Sequence, residues 1–172
     1  ADGVCRKLIY RHPHVFGDVT VQSTDEILSN WEELKKKEKG QETQADALDA
    51  VARSLPALWR AEKVQKKAAK VGFDWPDVSG AMEKVTEETA ELSASMAGDG
   101  DVTEELGDLL FAVVNAARFL KVDPEDALHA AIDKFSARFR RVEEAAATQG
   151  RRMENMTLAE MDRLWDEVKH KA

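Results

Sequence analysis

Apolar residues recur at intervals of three and four along most of this chain, the spacing that gathers them on one face of an α-helix. Ile27, Leu28, Trp31 and Leu34 form one such set behind a cap at Ser23 or Thr24, and it runs out in the lysines at 35–37. Residues 1–10 read as the tail of an earlier helix, stopped by Arg11-His12-Pro13-His14-Val15-Phe16-Gly17. The polar, alanine-rich stretch 39–53 reads as a linker. Ser54 then caps a helix with Pro56 in its first turn, and Gly72 closes it. Beyond the turn Phe73-Asp74-Trp75-Pro76, Ser79 opens a helix that stops near Gly98. Asp101-x-x-Glu104 resembles a capping box and starts the next, which runs to about Leu120. Asp123-Pro124 opens a long helix ending at Gly150, and Thr157-x-x-Glu160 caps the last. Five helices after the linker, with no strand pattern and no internal repeat, predict an all-α protein.

The faces of these helices can be assigned. Between residues 79 and 98, Met82, Val85, Thr89, Leu92 and Met96 form the expected core stripe, with Lys84, Glu88 and Glu91 together on one flank. The next helix turns Val102, Leu106, Leu109, Leu110, Val113, Ala117 and Leu120 inward, with Phe111 and Phe119 widening the apolar surface. In the long helix the stripe is Leu128, Ala131, Ile132, Phe135, Phe139 and Val142.

Composition narrows the class. A chain of 172 residues fits one domain with some extra, and no apolar run is long enough to span a membrane. The single cysteine, Cys5, excludes an internal disulfide framework and suits a reducing cytoplasm. A net charge of −8 argues against general nucleic-acid binding. The chain begins Ala1-Asp2-Gly3, with neither an initiator Met nor a signal-like stretch, and reads as a piece of something longer.

The candidate chemistry lies in two acidic half-motifs about one helical hairpin apart, Glu88-x-x-Glu91 and Glu105-x-x-Asp108. Carboxylates at i and i+3 share a helix face. Folding the two helices together through Ala97-Gly98-Asp99-Gly100 would gather all four. So many carboxylates repel unless a cation joins them, and a donor set of oxygen alone favours Mg²⁺ or Mn²⁺ over zinc. The bland alternative is a solvated acidic face. Against it, Glu105 and Asp108 sit within a broadly apolar helix, where a carboxylate pair is costly without a partner. Lys134 and Arg138 lie one turn apart at an edge of the long helix and could hold phosphates, or could simply pair with neighbouring carboxylates. Asn115 could hydrogen-bond a ligand or be a satisfied amide between helices. No Gly-rich phosphate loop and no Ser, Cys or His nucleophile constellation competes. His12 and His14 have no further ligands nearby, and a single Asp126-x-x-His129 is half of what a di-iron bundle needs.

Glu88-Thr89-Ala90-Glu91, Glu104-Glu105-Leu106-Gly107-Asp108-Leu109-Leu110-Phe111 and Lys134-Phe135-Ser136-Ala137-Arg138-Phe139 together resemble the MazG family of nucleoside triphosphate pyrophosphohydrolases. Arg11-His12-Pro13-His14-Val15-Phe16, Arg53-Ser54-Leu55-Pro56-Ala57-Leu58 and Val71-Gly72-Phe73-Asp74-Trp75 are similar to two-domain bacterial MazG, so the likeness covers nearly the whole chain. It implies that residues 1–20 end a first MazG domain, that 21–53 are a helix and linker, and that 54–172 form a catalytic, MazG-like helical bundle. It further implies a homodimer built through helix faces. Glu88, Glu91, Glu105 and Asp108 would be Mg²⁺ ligands (Mn²⁺ as a substitute), with Glu104 close enough to assist. Lys84, Lys134 and Arg138 would meet the triphosphate. Trp165 would help wall the nucleotide site, although the residues alone place it in the core. The implied reaction cleaves between the α- and β-phosphates of an NTP or dNTP, giving a monophosphate and pyrophosphate, as in nucleotide-pool house-cleaning. The rival is a non-enzymatic helical module that binds a partner through an acidic surface. That reading makes the four carboxylates dispensable.

Overall fold

The computed structural model describes residues 2–19, 21, 23, 26, 27, 30, 31, 34 and 43–170. Helices, one short 3-10 turn and connecting segments make up the described residues, with no strand among them. The protein is all-α, and it divides into two compact units, Ala1–Pro76 and Asp77–Ala172.

The first unit contains α1 (Asp2–Arg11), α2 (Pro13–Phe16), α3 (Gln44–Asp49) and α4 (Ala57–Ala69). Ser23 accepts a hydrogen bond from the Glu26 amide at 3.2 Å, as a cap should, while Thr24, Leu28 and the lysines at 35–37 lie outside the described residues. The stretch expected to be a linker holds helix α3. Its cause is a capping box that the alanine-rich composition masks. The Asp46 amide donates to Thr43 Oγ1 at 3.1 Å, and the Thr43 amide donates to Asp46 Oδ2 at 2.7 Å. Ser54 does not cap α4. Pro56 holds the N-cap position with no side-chain bond, and Gly72, at φ +84°, closes the far end as expected.

The second unit is two helical hairpins, α5 (Val78–Met96) with α6 (Val102–Phe119), and α7 (Pro124–Thr148) with α8 (Leu158–His170), the last preceded by the 3-10 turn Met153–Asn155. Asp77, two residues ahead of the expected Ser79, caps α5 and accepts from the Ser79 amide at 2.8 Å. Asp101 accepts from the Thr103 amide at 2.8 Å, and Asp123 from the amides of Glu125 and Asp126. The expected Thr157–Glu160 box forms, with the Thr157 amide donating to Glu160 Oε2 at 2.8 Å. Between α5 and α6, the Asp99 amide donates to the Ala94 carbonyl and that of Gly98 to Ser95, a Schellman closure with Gly98 at φ +111°.

The packing of α5 differs from the expected stripe. Met82 is 49% exposed and Met96 73%, whereas the buried residues are Ala81, Glu88 and Ser95. These recur every seven residues, one line along the helix. In α6 the buried residues are Ala112, Val114 and Ala116, while Leu106, Leu110, Val113 and Leu120 stand exposed. Small side chains along the hairpin let the two backbones approach closely, and the large apolar residues face away from it. The second hairpin has its own core of Val142, Ala146, Leu164 and Val168, with Met153, Met156 and Trp165 packed against it.

Candidate metal and nucleotide site

The line of burial along α5 runs through a carboxylate. Glu88 is 4% exposed, and its two flanking residues on that line, Ala81 and Ser95, are too small to bury it alone. Lys84, one turn earlier, reaches Glu88 Oε1 at 2.6 Å and donates to Glu87 Oε1 at 2.8 Å. Glu88 Oε2 is buried and has no hydrogen-bond partner. A buried carboxylate oxygen left unpaired is costly, and such an oxygen calls for a cation or a donor.

Folding of the hairpin supplies the company. Carboxylate oxygens of Glu88, Glu105 and Asp108 lie within 4.8 Å of one another, as do those of Glu87, Glu88 and Glu91. The four sequence-predicted ligands therefore fall, together with Glu87, into two triads that share Glu88. Glu87, which completes the second triad, is the residue that sequence reasoning missed. Its signal was its spacing of four from Glu91 and three from Lys84, which places all of them on one side of α5.

The electrostatics follow from this crowding. Surrounding protein, and then the Glu88 charge, push the Glu91 carboxyl above its ordinary value. Hydrogen bonds to Glu87 and then Glu88 raise the Lys84 ammonium, which stays charged. A donor set of carboxylates alone, with one buried oxygen unsatisfied, fits a hard divalent cation. Gly100, at φ +131°, brings the chain past Glu105. A Cβ there would stand 3.8 Å from Glu105 Oε1 and 3.4 Å from the Ser95 Cβ.

The other predicted residues are placed differently. Glu104 is exposed in the first turn of α6 and belongs to neither triad. Asn115 is satisfied within its own helix, its carbonyl accepting from Arg118 Nη2 at 2.7 Å and Nε at 3.1 Å. That leaves only its amide hydrogens for a ligand. Lys134 and Arg138 stand on α7 with no ion pair to the triads, Lys134 exposed and Arg138 half-buried. Trp165 on α8 is half-buried and lies against Phe135 of α7, ring centroids 5.2 Å apart.

Comparison with known proteins bears on the same stretch. Residues 77–142, which carry both triads, match the MazG nucleotide pyrophosphohydrolase domain. By this match, residues 77–142 are the chain's MazG region. Its MazG region is embedded in a wider likeness, 44% identity over 167 residues to the nucleoside triphosphate pyrophosphohydrolase of Escherichia coli (strain K12), covering 95% of this chain and 64% of that protein. The Thermotoga maritima nucleoside triphosphate pyrophosphohydrolase/pyrophosphatase MazG is 41% identical over 163 residues, 95% of this chain and 62% of its own length. An uncharacterized protein, YabN of Bacillus subtilis, is 49% identical over 170 residues, 97% of this chain and 35% of its own. The chain thus spans a little under two thirds of the two pyrophosphohydrolases it resembles.

Proposed function

We propose that this chain is a nucleoside triphosphate pyrophosphohydrolase that uses Mg²⁺, or Mn²⁺ in its place, held by Glu88, Glu91, Glu105 and Asp108. The observation that carries the reading is the unpartnered, buried Glu88 oxygen at the junction of two carboxylate triads, inside a MazG domain. An all-oxygen ligand set favours magnesium or manganese over zinc here. When bound, such an ion polarises phosphoryl oxygens, activates water and offsets charge on departing pyrophosphate.

The chain's own groups do the rest. Lys84 stands beside the triads and can contact the polyphosphate, while Lys134 and Arg138 offer point charge and a bidentate fork for the remaining phosphate oxygens. Glu104, free of both triads at the start of α6, lies close enough in sequence to assist the ligands. The Asn115 amide hydrogens and the Trp165 ring are candidates for the nucleoside. Attack falls between the α- and β-phosphates of an NTP or dNTP, giving a monophosphate and pyrophosphate. A house-cleaning role in the cytoplasm fits this activity and the exposed free thiol of Cys5. Among the described residues, no helix is long and apolar enough to cross a membrane.

A homodimer is part of the proposal. Leu106, Leu110, Leu128, Ile132 and Phe135 are 46–56% exposed on two helices of the second unit, α6 and α7. Apolar residues of that size, repeated along adjacent helices, favour burial against a second copy. Sedimentation equilibrium tests this, and a monomer at all concentrations refutes it.

The activity is tested by pyrophosphate release from a panel of NTPs and dNTPs, with Mg²⁺ and with EDTA, beside Glu88→Gln. Metal-dependent release of pyrophosphate and a monophosphate, lost in the variant, is expected. No turnover of any nucleotide by the folded protein would favour the partner-binding module instead.

A further inference from the structure

The two triads are not equivalent. Lys84 places one ammonium against Oε1 of both Glu87 and Glu88, at 2.8 and 2.6 Å, and these are two of the three members of the Glu87–Glu88–Glu91 triad. In the other triad, Glu105 and Asp108 have no ion-pair partner among the described residues, and the buried Oε2 of the shared Glu88 has no hydrogen-bond partner. The ammonium touches two of the three members of one group and only the shared Glu88 of the other.

A divalent ion bonds carboxylate oxygen at about 2.0–2.1 Å if it is magnesium. An ion seated on the first triad would therefore share two of its three carboxylates with the ammonium and meet that like charge at close range. We propose that Lys84 is the resident counter-cation of the Glu87–Glu88–Glu91 triad. A first divalent ion enters at Glu88, Glu105 and Asp108, and a second must displace the ammonium. The inference rests on the reading of both triads as metal ligands. Its consequence is a link between metal loading and substrate capture. The lysine stem is long and freely rotating, and its side chain is already 40% exposed. Once displaced, the ammonium is free to meet a polyphosphate, so triphosphate binding and occupation of the second triad reinforce each other.

Calorimetric titration of the metal-free protein with Mn²⁺, in the absence of nucleotide, tests this on the wild type, K84M and K84R. K84Q is titrated in parallel as a second neutral variant, with circular dichroism to check folding. The wild type and K84R are expected to take up one ion tightly. K84M and K84Q are expected to take up two, the second at least about ten-fold tighter than any second ion on the wild type. A single ion on the neutral variants, held within about three-fold of the wild-type affinity, overturns the proposal while leaving the metal site intact. A Mn²⁺-bound crystal structure with an ion on Glu91 and the ammonium still touching Glu87 and Glu88 overturns it too. No Mn²⁺ uptake by any of the four proteins instead removes the metal reading itself, and this inference with it.

Discussion

Glu88→Gln should make the protein more stable without metal and less stable with it. The substitution keeps the side chain's size while removing the one charge both triads share. Glu105 and Asp108 oxygens lie within 4.8 Å of those of Glu88. At that spacing one like-charge pair costs about 3.5 kcal/mol at an effective dielectric near 20. Solvent around exposed Asp108 and the Lys84 ammonium offset most of this, leaving about 1 to 2 kcal/mol in favour of the amide. The Gln amide also puts a donor where Oε2 now has no partner, facing carboxylates that can accept from it. Saturating Mg²⁺ reverses the order. An ion at a hundred times its dissociation constant stabilises the wild type by about 2.7 kcal/mol, an increment the variant forfeits. For a protein of 172 residues each kcal/mol moves the melting temperature by about 2 to 4 °C. Thermal unfolding by circular dichroism, in EDTA and in excess MgCl₂, reads both changes. If Glu88→Gln destabilises the protein in EDTA by more than about 1 kcal/mol, a value typical of a lost structural contact, Glu88 is a structural anchor and the argument fails. An undiminished Mg²⁺ shift in the variant refutes it equally.

Three further outcomes are expected. Arg151 first, and then Thr157, lower the Glu160 carboxyl from 4.5 to about 2. Because the folded value is the depressed one, this contribution to stability is present in full above pH 4.5 and disappears as pH falls from there towards 2. Glu160→Gln should therefore flatten the fall in urea midpoint across that window, and an unchanged slope would show that other carboxylates carry it. Gly100→Ala, at φ +131° and against Ser95 and Glu105, should cost about 1 to 3 kcal/mol and weaken Mn²⁺ binding in calorimetry; wild-type affinity would mean that Glu105 does not depend on that turn. Lys121 closes α6 at φ +57° without being glycine, so Lys121→Gly should stabilise by about 0.5 to 1 kcal/mol in denaturant titration, with activity unchanged.

The helices were legible where a single residue could start them. Asp123-Pro124 and the Thr157–Glu160 box each offer one plausible cap, and both form as expected. Ahead of α5, Asp77 and Ser79 both qualify, and which one caps depends on a backbone conformation that sequence does not display. The site was legible in its residue types because i and i+3 spacing survives folding. The partition into two triads was not, since it depends on how closely α5 approaches α6. That approach follows from Ala81, Ser95, Ala112 and Ala116, whose smallness matters more than hydrophobicity. A reading that ranks faces by apolar size selects Met82 and Met96 instead, and these point outward. In the proposed homodimer such residues would meet a partner chain, and a single-chain pattern does not distinguish that from a core.

The α5–α6 hairpin carries every member of both triads between Glu87 and Asp108. Contacts so local close quickly during folding, because little chain entropy is lost before they form. The acidic centre can therefore assemble as soon as this one hairpin emerges, without waiting for distant segments to arrive. The longer stretch that contains this hairpin is matched in proteins of very different length. The present chain corresponds to 64% of one relative, 62% of another and 35% of a third.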